Sequence, residues 1–428
     1  NDLIGLFSSI FYIATPYLYY ESIQMQDHPT VLAFTLLPLI FWGFYKILNN
    51  EKYGPLMLGV SFALLLMTHI LSTFQIGLVL ILLIIINFKK TGNYKFLKNI
   101  LYSGLIALGL SAVFWLPFIE VYSTGIYAVF NPDFPMIPWR TADGMNSYAL
   151  NFLNPINNSA MTVIYGGFIV IALVLFIFGL KKKMQNDNKF KTILINSIVI
   201  FIISTILVSS LINWKYMPSL FYNLQFPFRF LLTGGFFLAI LLGYLLYKMW
   251  DRKGIVWKIL CGLCLFGCLI VYPIISTFGD PIKWQKINYA QSISSDGVKE
   301  YLPEKSANIP SEIVCDNMCS NYARIGSSAR FDVASSQDTK IHLPLNYFPG
   351  YRARLDGAEL TVSHDENGAV MIEVPANTTG TVYVEFHNTP SKIVGLTLTM
   401  VTIIVILVIV TRQKKSIFQT KKVQKKLD

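Results

Sequence analysis

Residues 55–87 read PLMLGVSFALLLMTHILSTFQIGLVLILLIIIN, a run without a single Lys, Arg, Asp or Glu. Lys46 and Lys52 stand before it, and Lys89, Lys90, Lys95 and Lys98 follow it. As one helix the run would reach about 50 Å, against a hydrocarbon core of about 30 Å. A single crossing would also put basic clusters on both faces of a membrane, whereas basic residues flanking spans stay cytoplasmic. Two short helices breaking near Thr68-His69-Ile70-Leu71-Ser72 resolve both conflicts and bring His69 to the outer surface. A re-entrant hairpin meets the same constraints.

The same punctuation recurs along the chain. Further clusters lie at Lys181 to Lys183 with Lys189 and Lys191, at Lys248, Arg252, Lys253 and Lys258, and from Arg412 to Lys426. All five clusters together hold 22 of the 35 basic residues. The apolar runs between them are 3–20, 31–48, 55–87, 101–119, 161–180, 192–213, 228–248, 255–277 and 393–411. They predict an α-helical polytopic membrane protein of about ten transmembrane helices, with both ends of this chain cytoplasmic. Apart from one polar insert, the opposite loops carry only Arg140, Lys215 and Arg229 as basic residues. Chemistry is therefore expected on the outer face.

Composition agrees with this. The chain is 54% hydrophobic and 14% charged, where a soluble globule carries about 25% charge. Its net charge of +11 sits mostly in juxtamembrane clusters, which set topology and touch anionic lipid. That distribution is not a nucleic-acid signature. The chain opens on Asn1 inside an apolar run without a signal-peptide layout, and it reads as lacking an N-terminal part.

Residues 278–391 differ in kind. Arg330-Phe-Asp-Val-Ala, Ile341-His-Leu, Tyr351-Arg-Ala-Arg-Leu, Val370-Met-Ile-Glu-Val and Thr381-Val-Tyr-Val-Glu-Phe alternate as half-buried strands do. Asp356-Gly357 between two such runs is a favoured hairpin turn. The expected organisation is a multi-span domain over 1–277 with an outer loop 120–160, and a small all-β, sandwich-like extracytoplasmic domain over 278–391. A final span over 392–411 and a basic cytoplasmic tail over 412–428 complete it. Cys261, Cys264 and Cys268 fall in a span, where they read as packing residues. Cys315 and Cys319 fall in the outer domain, an oxidising setting where a local disulfide is plausible, free thiols are the alternative, and a Cys-x3-Cys pair with no nearby His is a weak zinc signal.

The charged groups near the outer ends of spans are few. They are Glu21, Asp27, His28, His69, Glu120, Asp133, Arg140, Asp143, Lys215 and Arg229. Such groups pay for desolvation at the lipid boundary and are more often functional than groups in water. Asp27 and Glu120 are the carboxylates considered for catalysis, and Arg229, His69, Arg140 and Lys215 the side chains considered for substrate binding. In Gln225-Phe-Pro-Phe-Arg-Phe one guanidinium sits in a wall of aromatics, where it caps a structural pair, Glu120 for example, or meets an anionic headgroup. His69 has a structural reading as well, as a satisfied histidine in an apolar setting. The loop Phe130-Asn-Pro-Asp-Phe-Pro-Met-Ile-Pro-Trp reads as an interfacial segment. The sequence calls for no cofactor and shows no metal motif, so a divalent metal is unsupported.

Several stretches resemble a known family. They are Leu36-Leu-Pro-Leu-Ile-Phe-Trp-Gly-Phe-Tyr, Met67-Thr-His-Ile-Leu-Ser, Trp115-Leu-Pro-Phe-Ile-Glu, Gln225-Phe-Pro-Phe-Arg-Phe, Tyr301-Leu-Pro and Asn346-Tyr-Phe-Pro-Gly-Tyr-Arg-Ala-Arg-Leu-Asp-Gly. In this order they resemble the bacterial YfhO-like membrane proteins, also labelled 6-pyruvoyl-tetrahydropterin-synthase-related and placed in the GT-C superfamily of glycosyltransferases. The pterin label carries no chemistry, since nothing here resembles that enzyme's zinc-binding histidine cluster. The resemblance implies a protein of the bacterial plasma membrane that moves a sugar from a polyprenyl-phosphate donor to a cell-envelope polymer on the outer face. It also implies a catalytic carboxylate in a first outer loop, upstream of Asn1. The chain departs from the pattern where relatives are expected to carry Arg and Glu, having Met25 and Thr30 instead. The alternatives are a non-catalytic envelope protein whose outer β-domain binds polymer or a partner, and a transporter. The almost purely apolar span middles count against transport.

Overall fold

The computed structural model describes residues 2–131, 141–150, 188–271 and 301–427. It falls into two compact units, Asn1–Leu108 with Pro138–Gln285, and Gly109–Ile137 with Lys286–Asp428. The longer helices in chain order are α1 (Asp2–Ile13), α2 (His28–Leu48), α3 (Gly54–Thr68), α4 (Ile70–Ile86) and α5 (Tyr94–Leu110). They continue with α6 (Ala112–Ser123), α7 (Asn188–Val208), α8 (Leu231–Trp250), α9 (Ile255–Phe266) and α10 (Pro390–Leu427).

Among the described residues five helical stretches are long and apolar enough to cross a membrane: Asp2–Ile23, His28–Leu48, Phe190–Val208, Pro227–Trp250 and Pro390–Arg412. A sixth counts if α5 and α6, broken at Ser111, are taken as one span. The described residues do not confirm ten spans. The break expected at His69 is present, with His69 extended (φ −155°, ψ 106°) between α3 and α4. The two helices it separates have only 15 and 17 residues. They rise about 22–26 Å, short of a hydrocarbon core of about 30 Å. The run 161–180 lies outside the described residues.

In the first unit, helices approach through glycine. A Cβ on Gly243 of α8 would lie 2.5 Å from the Ser8 backbone nitrogen of α1, and one on Gly43 of α2 would lie 2.6 Å from that of Leu58 in α3. Small residues at such crossings let backbones meet, the usual device where water supplies no driving force. Phe41 of α2 packs on Phe236 and Phe237 of α8, with ring centroids 4.9 and 4.8 Å apart. Buried amides add polar ties. Asn87 Nδ2 donates to Asn196 Oδ1 (3.2 Å), and Asn196 Nδ2 to Tyr45 Oη (3.1 Å).

The second unit joins α6, α10 and a β-domain. The run read as one span at 101–119 is interrupted at Ser111, and a helix break leaves backbone groups without intrahelical partners. Thr399 of α10 serves them. Its hydroxyl lies 3.3 and 3.2 Å from the Gly109 and Leu110 carbonyls and accepts from Val113 N–H at 3.1 Å.

Strands β1 (Cys319–Ile325), β2 (Ser328–Ser335), β3 (Thr339–Asn346), β4 (Tyr351–Leu355), β5 (Ala358–His364), β6 (Ala369–Val374) and β7 (Thr378–Phe386) form one sheet in the order β1-β2-β7-β4-β5-β6-β3. All its pairs are antiparallel. β4 pairs with both β7 and β5, and β5 pairs with β4 through Ala358 to Leu360 and with β6 through Thr361 to His364, so one strand links the two halves of the order. The single sheet curls like half a barrel, and Phe331 and Val333 of β2 share one core with Ile341 and Leu343 of β3. Asp356-Gly357 is the expected two-residue turn. Both residues have positive φ (46° and 97°), as the hairpin turn that matches strand twist requires.

The turn between β5 and β6 is organised by Asp365. Its carboxylate accepts from the N–H groups of Asn367 (2.9 Å) and Ala369 (2.8 Å) and lies 2.9 Å from His342 Nδ1. Burial pushes the Asp365 pKa up, but the bonds from Ala369, His342 and Asn367 outweigh it and hold the carboxyl below its usual range. A depressed folded-state pKa stabilises above the unfolded value, about 3.9, and that contribution is lost as pH falls through the folded value. Asp365→Asn should therefore lower the melting point of the β-domain at neutral pH, and the gap to wild type should close below about pH 3. A gap that stays constant into acid would show that the charge is irrelevant.

Cys315 and Cys319 stand with Cα atoms 6.0 Å apart, within the span a disulfide bridges. We expect that bridge under oxidising conditions, stiffening a turn and worth roughly 2 kcal/mol. Thiol alkylation before and after reduction, read by mass spectrometry, checks it. Two thiols labelled without reductant would rule it out.

Candidate functional site

Three of the residues singled out for chemistry meet in the first unit. Asp27 caps α2, its Oδ1 accepting Thr30 N–H at 3.2 Å and its Oδ2 accepting the Thr30 hydroxyl at 2.7 Å. Pro29 in the first turn needs no intrahelical donor there. His69 is held by the break between α3 and α4. Arg229 belongs to the 3-10 turn Pro227–Phe230, which runs into α8.

Arg229 Nη1 lies 3.8 Å from Asp27 Oδ2 and 3.4 Å from His69 Nε2, and its Nη2 donates to Gln225 Oε1 at 2.9 Å. A guanidinium can only donate. His69 Nε2 must therefore be the bare, accepting nitrogen, and Nδ1 carries the proton. That Nδ1–H points to Ser72 Oγ (2.7 Å) and, at longer range, to Thr30 Oγ1 (3.4 Å). Thr30 donates its own hydroxyl hydrogen bond to Asp27. The directions are consistent around the cluster and define a neutral His69.

The cation is nine-tenths buried, yet its Nε has no hydrogen-bond partner among the described residues. Buried polar groups are nearly always satisfied, so an orphan N–H on a charged group points to a missing ligand. Gln75 fixes the backbone from below, its Nε2 donating to the Arg229 carbonyl at 3.0 Å. Gln225 sits at φ 68°, ψ −43°, with Phe226 N–H bonded to the Leu224 carbonyl at 2.8 Å. This is a three-residue turn of the rare, strained kind. Such strain persists where the surroundings enforce it and gathers at functional sites. Here it accompanies the Gln225 contact to Arg229.

The walls are apolar. Phe226 lies 5.8 Å from the guanidinium carbon and stacks on Phe228 at 4.8 Å, and Tyr148 and Tyr20 meet these rings edge-on. Tyr17 and Glu21, one turn apart and both buried, lie within electrostatic reach of Arg229.

The other expected residues are elsewhere. Glu120 belongs to the second unit, where Thr389 Oγ1 donates to it at 2.6 Å. Within the first unit the carboxylate beside Arg229 is Asp27. Lys215 is exposed on the short turn Trp214–Tyr216. Arg140 and Asp133 lie outside the described residues. Sequence reading missed Ser72, Gln225, Gln75 and Thr30 as partners. Thr30 was visible as a departure from the family pattern, and Gln225 as part of a quoted motif. Among the described residues no group of three His, Cys, Asp or Glu side chains could hold a metal ion.

Apolar helices around a buried, incompletely satisfied arginine define a membrane protein with a charged site at helix ends. The model of a family described as 6-pyruvoyl-tetrahydropterin synthase related domain, membrane protein, matches residues 3–275, and the chain belongs to that family. The matched region contains Asp27, His69 and Arg229. The chain is also 25% identical over 473 residues to an uncharacterized protein of Lactococcus lactis subsp. cremoris (strain MG1363), covering 92% of this chain and 72% of that one. No solved structure matches.

Proposed function

We propose that this protein binds a polyprenyl-phosphate-linked sugar at Arg229 and transfers the sugar to a cell-envelope acceptor on the outer face of the bacterial plasma membrane. The observation that carries this reading is the buried guanidinium, whose Nε has no partner among the described residues, beside an aromatic wall. A phosphate fits the planar fork, and the polyprenyl chain fits the rings. In the reaction an acceptor hydroxyl attacks the anomeric carbon. The bond from that carbon to the phosphate oxygen breaks, the polyprenyl phosphate leaves with the electron pair, and the hydroxyl proton passes to a general base.

Arg229 stabilises the charge that grows on the leaving phosphate. Asp27 already holds Thr30 through both oxygens and faces Arg229, so its part is to position the cation. His69, neutral with its bare nitrogen toward Arg229, does the same from the other side. The base is then a carboxylate outside this triad.

The test is transfer of a labelled hexose from a polyprenyl-phosphate donor by the full-length protein in nanodiscs. Absence of both donor binding and transfer across a panel of donors would favour the non-catalytic envelope-binding alternative. The outer-face placement has its own check. Cysteines introduced at 141–150 should react with an impermeant maleimide on intact cells, and cysteines beside Lys183 should not. The reverse pattern would sink the reading.

A further inference from the structure

We propose that the exposed face of β4 and β7 is a binding site for one neutral sugar unit of a glycan. A cavity of about 240 Å³ opens there, lined by Arg352, Arg354, Gly357, Tyr383, Glu385 and His387. It is smaller than the roughly 300–1,000 Å³ of sites for drug-sized ligands, which suits a single ring of a longer chain. The strand pattern builds it. Val382 and Val384 of β7 and Ala353 of β4 point into the core, so Tyr383, Glu385, Arg352 and Arg354 face out.

Tyr383 is the platform. It stands across from Arg330 on β2 and Arg354 on β4, and 48% of it is exposed. A single exposed aromatic on a sheet is ordinary. This one is flanked by exposed polar groups that pair with one another. Glu359 Oε1 lies 3.6 Å from Arg354 Nη2 and 4.0 Å from Arg352 Nη1, and His387 Nε2 lies 3.2 Å from Glu385 Oε2.

The mixture of donors and acceptors decides the ligand class. Around Tyr383 the guanidiniums of Arg330, Arg352 and Arg354 stand with the carboxylates of Glu385 and, at the rim, Glu359, which lies against both Arg352 and Arg354. A polyanion would meet the repulsion of those carboxylates. A sugar diol, in contrast, can accept from a guanidinium and donate to a carboxylate while its C–H face lies on the tyrosine ring. The site is independent of the transfer reading, since glycan binding and donor binding are separate titrations.

Calorimetric titration of the full chain in nanodiscs with maltohexaose, cellohexaose, laminarihexaose and chitohexaose tests the proposal, with oligogalacturonate as the acidic probe. At least one neutral oligosaccharide should bind, with an affinity that salt leaves unchanged. Tyr383→Ala should weaken it by roughly tenfold. Tyr383→Phe, which keeps the ring, should bind as wild type and guards against a folding artefact. No binding by any neutral probe would overturn the proposal. So would binding of oligogalacturonate alone that falls with salt, or an unchanged affinity in Tyr383→Ala.

Discussion

Replacing Arg229 by lysine should reduce sugar transfer by roughly 10²–10³-fold, the loss seen when one preorganised donor to a developing charge is removed. The amount of inserted protein should stay the same. Lysine keeps a positive charge near half-buried Asp27 and buried Glu21, so both carboxylates remain compensated. It loses the planar fork, the unpartnered Nε–H and the Nη2 bond to Gln225. Binding of a phosphate by two parallel bonds is the property that only arginine supplies here. Arg229→Ala is a poorer probe. It leaves Asp27 without its cation in a half-dry site, which typically costs about 3–5 kcal/mol when a buried pair is broken, so it should reduce expression as well as activity. Transfer assayed on membranes normalised for protein separates the two. Full activity in Arg229→Lys would remove the arginine from the phosphate site and leave it a structural cation.

The parts of this fold that sequence made legible are those governed by local rules. Charge on both sides of residues 55–87 demanded a break, and the break falls at His69. Asp356-Gly357 demanded a tight hairpin, and both residues take positive φ. Period-two alternation located β2, β3, β4, β6 and β7. What local rules miss is set by distant partners. The interruption at Ser111 is stabilised by Thr399, nearly 290 residues further on. The curl of the sheet depends on β4 and β5 pairing on both edges, and alternation says nothing about pairing order. The site shows the same division. Asp27, His69 and Arg229 stood out because charge at a lipid boundary is rare, whereas Ser72, Gln75 and Gln225 are ordinary polar residues until the chain folds. Lys215 met the same criterion and is exposed on a short turn, so rarity selects candidates without saying which of them meet.

Gly243→Val should displace α1 from α8 and disable the protein even though the residue lies fourteen positions beyond Arg229. The added Cβ would stand 2.5 Å from the Ser8 nitrogen and 2.7 Å from its Cα. Both are backbone atoms, so no rotamer change relieves the clash and the helices must separate. Overpacking of this kind costs about 1–3 kcal/mol, occasionally more. The larger consequence is geometric. α8 begins directly after Arg229, and α1 leads through Tyr17 and Glu21 to Asp27. Spreading the pair lengthens the 3.8 Å approach of Arg229 to Asp27, so activity should fall further than stability alone predicts. Gly5→Ala on α1 is the control, since its Cβ would meet nothing within 4 Å. It should stabilise slightly, by up to about 1 kcal/mol of helix propensity. Thermal unfolding in detergent, with transfer measured on the folded fraction, reads both effects. A Gly243→Val melting point equal to that of Gly5→Ala would show that the two helices do not meet at this glycine, and the arrangement that brings Asp27 to Arg229 would need another support.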